Sequence, residues 1–514
     1  MKTTTKRMNA AWLCILFAAS ACLSSCGNNG SSSNEGKTTQ PQNDTAVTEA
    51  ETEEEEKKIL DAIPEGTDFG GQKIRIRVNS FDQTQYGAEM FVMGPTESDG
   101  DIVHDAILER NKAVEERLNV EFEYTVEEYI YSDVFNSTQK LIMSGEDVFD
   151  LFVDQQYGLL KIAAENMLYN FNENTINDFS QNYWWNEYME HLQLGTDARY
   201  LVAGDYFLDV VETSSAIFFN KAMYEEHYES ANDLYQTAFD GKWTVDELGK
   251  YIKDFYSDVN GNGKVDEGDL FSMNLSRNYM DAQVFGSGIV FVERDSAGFP
   301  VLNVENPQIN ALMEKIVSNY FEPKTTFNYA TVQGVDEAQY YQNQRAAFAN
   351  RQQLFLNDYL AAVKDLRDMK DDYGILPIPK FDESIESYRS VAHDTAEVGA
   401  IPTTCQVPDT VCTVLEALCS MSHNTSMKTY FESAMKVKYA RDESTAAMID
   451  LLHDSITQNF CYAFSPQIND YLEIFRTLFD QSSASYTTEL AKRQKSMNKK
   501  LERLITQYNE NKED

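Results

Sequence analysis

Residues 258–269 carry oxygen donors at the spacing of a calcium-binding loop. Such a loop supplies ligands from its first, third, fifth, seventh, ninth and twelfth positions and turns sharply at a glycine in the sixth, here Gly263. The twelfth position is aspartate rather than glutamate, so an alternative is a turn whose Asx side chains bond their own backbone. An ion held here would be structural, because the protein fills its coordination sphere. The candidate ligands are Asp258, Asn260, Asn262, Lys264 through its carbonyl, Asp266 and Asp269.

Adjacent aromatic side chains at Trp184 and Trp185 could bind a sugar, because the apolar C–H faces of sugars stack on aromatic rings. Two neighbouring tryptophans are not expected to face one core together, so we predict that at least one lies at a surface or cleft. The alternative is simple packing. Trp243 precedes a helix start at Thr244–Glu247, a capping-box pattern, and is predicted to be structural.

Motifs of common catalytic sites are absent from the sequence. It contains no H-E-x-x-H, no G-x-S-x-G, no Walker loop and no G-x-G-x-x-G after a strand. The six histidines do not cluster along the chain. We therefore predict no enzymatic activity and no cofactor for function. A carboxylate pair that cleaves polysaccharide remains an alternative, because its geometry is invisible in a sequence with 83 acidic residues.

The first 25 residues have the pattern of a secretory leader. A basic start precedes the apolar stretch Ala10–Leu23, which is too short to span a bilayer. The stretch ends in Leu23-Ser24-Ser25-Cys26, which resembles the lipobox of bacterial lipoproteins. The resemblance implies that Cys26 is acylated, palmitate being one of the chains, and that the protein is anchored at the extracellular face of the cell membrane. An ordinary signal peptide is the alternative.

The composition is that of an acidic globular protein. The formal net charge is −40, with 42% hydrophobic and 25% charged residues. Such a charge disfavours binding to nucleic acid and to anionic lipid headgroups. A folded part of this length exceeds what one core usually supports, so two lobes are expected. We expect a monomer.

Few cysteines are left once the leader is set aside. None forms a C-x-x-C pair, so a zinc ribbon or a redox motif is unsupported. Cys412 and Cys419 are seven positions apart on one face of a predicted helix, and we expect them to be buried small hydrophobes. A disulfide stays open among the four cysteines that follow Cys26: Cys405, Cys412, Cys419 and Cys461.

Periodicity predicts an α/β fold behind an acidic tether at residues 26–68. Alternating apolar residues from Ile74 predict a strand, and the strands Val120–Tyr124 and Val148–Val153 follow with a helix before each. This order implies parallel crossovers, and ligands bind beyond the carboxyl ends of such strands. Further on, Ala346–Ala349 is interpreted as a short strand, and the last helix has an apolar side that includes Met497.

Several ordered motifs resemble the extracellular solute-binding proteins of family 1, which are carbohydrate-type receptors of ABC importers. The resemblance spans about residues 69 to 480. Each motif is only moderately specific, but their order and spacing agree. The motifs are Glu109-Arg110-Asn111, Asn220-Lys221, residues 242–248 (KWTVDEL), residues 373–380 (YGILPIPK) and Tyr439-Ala440-Arg441-Asp442.

The resemblance implies a periplasmic-binding-protein-like type II fold, with a ligand cleft between two lobes. Lobe 1 is placed at 69–214 and 397–440, and lobe 2 at 215–396 and 441–514. The implied function is to capture a sugar or oligosaccharide and deliver it to an ABC permease; a receptor for a sensor kinase and a different polar solute are alternatives. Besides the tryptophans, loop residues after strands are the ligand-binding candidates: Ser80, Asp82, Asp154, Gln155, Asp205, Tyr206, Asn350, Arg351, His393 and Asp394.

Overall fold

The computed structural model describes residues 60–80, 89–128, 131–431 and 443–513. The leader, Cys26, Asp82 and the motif at 439–442 lie outside these residues. Within them, no helix is both long and apolar enough to cross a membrane. The strands are β1 (Gln72–Asn79), β2 (Val120–Glu127), β3 (Leu151–Gln155), β4 (Ser215–Asn220), β5 (Phe271–Met273), β6 (Val292–Arg294), β7 (Pro300–Leu302), β8 (Gln353–Tyr359), β9 (Tyr373–Leu376), β10 (Ser390–Val391), β11 (Glu397–Ala400) and β12 (Ile456–Thr457).

Helices connect and cover these strands. They are α1 (Glu89–Val92), α2 (Ile102–Leu118), α3 (Tyr131–Met143), α4 (Gln156–Ala163), α5 (Asn186–His191), α6 (Leu208–Glu212), α7 (Lys221–Glu225), α8 (Asn232–Phe239), α9 (Val245–Asp254), α10 (Arg277–Phe285), α11 (Pro307–Ile316), α12 (Glu337–Ala349), α13 (Ala362–Asp365), α14 (Pro408–Asn424), α15 (Ser426–Thr429), α16 (Glu443–Asp454), α17 (Phe460–Ala463), α18 (Leu472–Asp480) and α19 (Tyr486–Glu513).

One four-stranded sheet has the order β11-β3-β1-β2. Strand β1 runs parallel to both β2 and β3, and β11 pairs antiparallel with β3. All five residues of β3 are buried, as expected for a strand covered by helices on both faces. The predicted strand–helix–strand order with parallel crossovers is confirmed for β1, α2, β2, α3 and β3.

A second four-stranded sheet has the order β5-β8-β4-β9. Every residue of β4 and β8 is buried, and β4 runs antiparallel to both β8 and β9. Trp243 packs beside this sheet with no exposed surface, and its indole N–H donates to the carbonyl of Pro377 at 2.9 Å. The prediction that Trp243 is structural is confirmed.

The chain crosses from one sheet to the other at two segments that hydrogen-bond to each other. The N–H of His393 donates to the carbonyl of Thr213 at 3.0 Å, and Ser214 bridges to Ala392. Strand β10 pairs parallel with β12, so the return segment before β11 is held on both sides. These crossings agree in place with the expected lobe boundaries at 214/215 and 396/397, which stay a prediction.

Two predicted elements are wrong. The tether was expected to reach residue 68, but the N–H groups of Leu60 and Asp61 donate to the Ser420 hydroxyl, and Arg117 holds the Asp61 carboxylate with two bonds of 2.6 and 2.8 Å. Residues from at least 60 onward therefore belong to the folded body. Ala346–Ala349 is the last turn of α12 and not a strand. The conformation of so short an apolar run is set by the helix that precedes it and not by its residue types.

Candidate functional site

A cleft of about 550 Å³ lies beyond the carboxyl end of β3. Tyr157 enters it two residues after that strand, which is where an open α/β sheet binds ligands. The opposite wall comes from α10, which packs against β8 of the second sheet, and from the start of α18. The lining residues are Tyr157, Arg277, Asn278, Ala330, Val335, Tyr340, His393, Asp394, Thr395, Ser465, Pro466, Asp470, Leu472, Glu473 and Arg476.

The segment 393–395 is clamped into the cleft by backbone bonds. The N–H of Tyr157 donates to the carbonyl of Asp394 at 3.1 Å, and the side-chain amide of Gln156 donates to the carbonyl of His393 at 2.7 Å. Because both partners come from the start of α4, the return segment and the end of β3 form one rigid wall. The Asp394 carboxylate, 14% exposed, is thereby held at the cleft.

His393 is placed at the cleft with its Nδ1 close to three groups. The backbone N–H of Thr395 donates to this nitrogen at 3.2 Å, and the Thr395 hydroxyl lies 2.7 Å from it. The Asp394 carboxylate lies 3.2 Å from the same Nδ1. At 14% exposure, this carboxylate can accept hydrogen bonds from hydroxyl groups of a bound solute.

The guanidinium groups of the cleft are already occupied. Arg476 donates to both oxygens of buried Asp281 through Nε and Nη2, at 2.6 to 3.3 Å. Arg277 donates to both oxygens of Glu473 at 3.0 Å. Each guanidinium contacts both oxygens of its carboxylate partner, and this bidentate hydrogen bonding fixes the orientation of the pair. The second wall is thus a preformed polar surface on α10 and α18.

Aromatic rings stand at both walls. The Lys161 ammonium lies 4.2 Å from the centroid of the Tyr157 ring, and on the other side Tyr340 and Tyr341 have ring centroids 4.2 Å apart. The amide of Asn278 donates to the Tyr341 hydroxyl at 2.7 Å, which fixes that pair. Burial lowers the pKa of Lys161, while the negative charges of Asp470 and Asp394 oppose this shift.

Of the sequence-predicted ligand candidates, His393 and Asp394 line this cleft. Asp154 does not: it is fully buried, and its carboxylate accepts from Arg77 at 2.5 Å and from Asn79 at 2.9 Å. Its neighbour Gln155 is also buried, at 1% exposure. Neither residue lines this cleft, because β3 is buried up to its last residue, and their part in ligand binding stays a prediction.

Asp205 and Tyr206 are likewise interior residues. Both are fully buried, and the guanidinium of Arg110 lies 4.6 Å from the centroid of the Tyr206 ring. Residues 200–204, which precede them, form only isolated bridges and belong to neither four-stranded sheet. Neither residue lines the cleft beyond β3, and their part in ligand binding stays a prediction.

The candidates at the end of α12 lie on the surface. Asn350 caps the helix, and Arg351 adopts the left-handed region at φ 64° and pairs with Glu226 and Asp371. Neither lines the cleft, because the strand they were thought to follow is a helix. Ser80, also a candidate, is half-buried and donates its N–H to the carbonyl of Glu127 at 2.8 Å.

Both adjacent tryptophans are buried, so the expectation of an exposed ring is wrong. Trp184 is 3% exposed and donates to buried Glu416 at 3.0 Å, and Trp185 is 9% exposed and donates to Asp205 at 3.0 Å. In a regular strand, adjacent side chains point to opposite faces, but these two residues do not lie in a strand. Instead Trp184 sits in an isolated bridge and Trp185 precedes α5, so the backbone turn directs the two rings to separate polar partners.

Two histidines that are distant in sequence meet at Asp205. His423 Nδ1 lies 2.5 Å from Asp205 Oδ2, and His453 Nε2 lies 3.9 Å from Asp205 Oδ1. Burial lowers the pKa of His453, but the carboxylates of Asp205 and Asp454 outweigh this effect and raise it to about 9. The histidines therefore cluster in space although not along the chain.

The calcium-like loop is closed by its own hydrogen bonds. Both carboxylate oxygens of Asp258 accept backbone N–H groups, from Gly261 and Gly263, and the amides of Asn260 and Asn262 donate to Asp266. Across the described residues, no group of three or more His, Cys, Asp or Glu side chains is placed to hold a metal ion.

One feature of the loop does fit a cation. Asp269 is 1% exposed, and its Oδ1 has no hydrogen-bond partner, while Oδ2 accepts from the Tyr256 hydroxyl at 3.0 Å. A buried carboxylate oxygen without a donor is costly unless a cation compensates it.

The four cysteines after the tether are buried with free thiols, so the disulfide that the sequence left open is not formed among them.

Sequence reasoning missed most of the cleft lining. Arg277, Asn278, Glu473 and Arg476 lie inside helices, where polar residues are normally assigned to a solvated face. Tyr340 lies on α12, part of which was interpreted as a strand. Arg277 and Arg476 each pair with a carboxylate in the cleft wall, but the two arginines are about 200 positions apart. No local pattern in the sequence therefore indicates that they lie together.

Comparison with known proteins finds structural likeness only. No protein-family model matches the chain, and no curated protein sequence matches it. Among solved structures, the galacto-N-biose/lacto-N-biose I-binding protein of the ABC transporter from Bifidobacterium longum, in complex with lacto-N-biose, superposes with a TM-score of 0.54 at 12% identity, over 85% of this chain and 98% of that one.

Two further structures are similar. The sugar-binding protein MalE from Xanthomonas citri has a TM-score of 0.54 at 11% identity, over 85% of this chain and 98% of its own. The maltose/maltodextrin-binding domain MalE from Bdellovibrio bacteriovorus, bound to maltotriose, has a TM-score of 0.50 at 14% identity, over 84% and 100%. At these identities the likeness shows the fold. The predicted periplasmic-binding-protein-like α/β fold is confirmed.

Proposed function

We propose that this protein is a solute-binding protein of family 1, which captures a sugar or oligosaccharide and delivers it to an ABC-type importer. The observation that carries the proposal is the cleft beyond β3, with aromatic rings and fixed hydrogen-bonding groups on both walls. The similar solved structures, which are sugar-binding proteins by their descriptions, support it.

The proposed mechanism needs binding and hinge motion alone. Open and closed states interconvert, and a solute that touches both walls favours the closed one by its differential affinity. Tyr157 and Tyr340 would stack on sugar rings, while Asp394 would accept hydroxyl protons. A micromolar solute corresponds to about −8 kcal/mol, which a few such contacts can supply after ordering costs.

A screen of neutral mono- and oligosaccharides tests the proposal. We expect thermal-shift hits on the purified chain to be confirmed by calorimetry at one solute per protein, with the solute recovered chemically unchanged. Tyr157→Ala should weaken binding, whereas Asp368→Asn, at an exposed position outside the cleft, should not. Product formation from any bound oligosaccharide, or the absence of binding across the panel, would contradict the proposal.

The same proposal includes a lipid anchor at Cys26 on the extracellular face of the cell membrane. It is supported by the lipobox-like sequence ending at this cysteine. Multiple acyl chains anchor stably, since each buried CH₂ contributes about 0.8 kcal/mol. Labelling with a palmitate analogue should mark the wild type and not Cys26→Ala. An unlabelled wild type would contradict the anchor.

The loop at 258–269 is proposed to bind a structural calcium ion. The fit rests on the order of the oxygen donors and on the buried, unpartnered Oδ1 of Asp269. When bound, calcium would supply positive charge to the carboxylates of the loop. It takes no part in solute binding.

A further inference from the structure

The C-terminal helix α19 is fastened to the body along one side. Four residues on that side are buried: Leu490, Met497, Leu501 and Tyr508. The Tyr508 hydroxyl donates to Asp197 at 3.0 Å. A helix held along its length in this way is a rigid ridge. Its other side faces solvent.

The solvent side of α19 is basic. At 3.6 residues per turn, five cations fall within an arc of about 140° that is centred opposite the buried side. Each of these five side chains belongs to an exposed residue, and Arg493 lies half-buried beside them. We call the five the basic face: Lys492, Lys495, Lys499, Lys500 and Arg503.

The charges of the basic face are largely uncompensated. Lys492 pairs with Glu489, whereas within the described part of the chain no ion pair is found for the other four. Glu502, at the edge of the arc, is the one acidic residue between Lys492 and Arg503. In a chain of net charge −40, so local an excess of cations stands out from the rest of the surface.

We propose that the basic face binds the surface of a membrane that contains anionic phospholipids. From Lys492 to Arg503 the helix rises about 16 Å, so the cations form an elongated band along one side of the helix rather than a converging pocket. Such a band matches a flat, continuous anionic surface, to which each Lys or Arg adds a similar electrostatic attraction. It does not match a single small anion, which needs donors converging on one point.

The geometry also indicates contact without insertion. Between the cations the exposed side chains are small or polar, such as Ser496 and Asn498, while the apolar residues of α19 face the body. Adsorption would therefore be electrostatic and strongly salt-dependent. Because the remaining surface is acidic and repelled, the contact would orient the body with α19 towards the lipid.

The proposed anchor at Cys26 would place the body near such a surface, although the inference does not depend on it. The 34 residues from Cys26 to Ile59 could span at most about 120 Å when fully extended. Tethering raises the effective concentration of a weak second contact. A modest affinity of the basic face would then suffice to fix the orientation.

Vesicle sedimentation tests the proposal with the unlipidated chain from residue 26 that carries Cys26→Ala. In 20 mM salt we expect binding to vesicles with 40% phosphatidylglycerol and none to pure phosphatidylcholine vesicles. At 500 mM salt the bound fraction should fall at least tenfold. The triple variant Lys495→Glu, Lys499→Glu and Arg503→Glu should lose at least tenfold in binding at low salt.

A matched variant separates the basic face from net charge. Lys112→Glu, Lys250→Glu and Lys370→Glu make the same change in charge at exposed positions elsewhere and should bind as the parent chain does. Circular dichroism and the melting temperature check that both variants fold. Equal loss in the two triple variants, or vesicle binding that ignores salt, would overturn the proposal. So would binding to a soluble polyphosphate polymer in the absence of vesicle binding.

Discussion

The role of a single side chain in this protein depends on the groups that surround it, and Asp205 is an example. The sequence predicted a ligand contact, yet the carboxylate is fully buried and accepts from Trp185 and approaches two imidazoles. A buried carboxylate is tolerated only when donors or cations surround it. The protonated form of His453 is thereby favoured, which makes stability depend on pH.

We predict that stability falls as His453 deprotonates. The pKa of His453 in the folded protein, about 9, lies above the ordinary histidine value of 6.5, so its contribution is complete below about pH 6.5 and is lost as pH rises through about 9. At 1.36 kcal/mol per pKa unit, the wild type should lose on the order of 2 to 3 kcal/mol of unfolding free energy between pH 6.5 and 9.5 relative to His453→Gln.

Urea denaturation of both proteins at pH 6.5, 8 and 9.5 measures this difference. His104→Gln is the control, because that histidine pairs with Asp99 at the surface. Parallel pH profiles for the wild type and His453→Gln would refute the assignment.

Asp394 is predicted to be a solute-binding residue. Removing its negative charge in Asp394→Asn should weaken the binding of a neutral oligosaccharide by tenfold or more, because hydrogen bonds to a charged group contribute about 1.5 to 3 kcal/mol. The melting temperature should change little, since asparagine keeps the size of the side chain and one of its oxygens. Calorimetry measures the affinity, with Asp368→Asn as the matched control, and unchanged affinity would remove Asp394 from the site.

At the scale of elements, the second wall of the cleft is formed by helices α10 and α18, and α10 packs against strand β8. Helices α10 and α18 bring two carboxylates and two guanidiniums together, and their mutual bonds fix the orientation of these groups before a solute arrives. Such preorganisation reduces the ordering cost of binding. It also sets the charge of the site.

The charge of the lining should select against acidic solutes. Carboxylates of Asp394, Asp470 and Glu473 outnumber the guanidiniums of Arg277 and Arg476, and the latter are already paired. We predict that an oligosaccharide that binds will bind at least tenfold more weakly after its primary hydroxyl is oxidised to a carboxylate. Competition calorimetry with the two forms tests this, and tighter binding of the acidic form would contradict it.

The loop at 258–269 should respond to calcium as one element. Calcium at one hundred times its dissociation constant would add about 2.7 kcal/mol of stability, so the melting temperature should rise relative to EDTA. In Asp269→Asn the rise should largely disappear, whereas Asp254→Asn, at an exposed position before the loop, should keep it. Equal melting temperatures of the wild type in calcium and EDTA would refute the site.

For the whole molecule, two sheets joined by crossing segments imply relative motion. The chain crosses from one sheet to the other near Thr213 and His393. We predict that a saturating solute lowers the radius of gyration measured by small-angle X-ray scattering, because it holds the two walls together. The Asp394→Asn protein at the same solute concentration should show a smaller change, and identical scattering with and without solute would argue against closure.

The sequence by itself determined the succession of strands and helices, because hydrophobic periodicity is local: α2, β2, α9 and α19 lie where it predicted them. It also carried the fold class and the structural role of Trp243. Tertiary structure alone decided the cleft and the buried clusters. Arg277 and Glu473 are 196 positions apart, and His423 and His453 meet only through Asp205, because contacts between distant segments depend on packing that no local pattern records. For the same reason Trp184 and Trp185 could both be buried, each facing a partner from a different part of the chain.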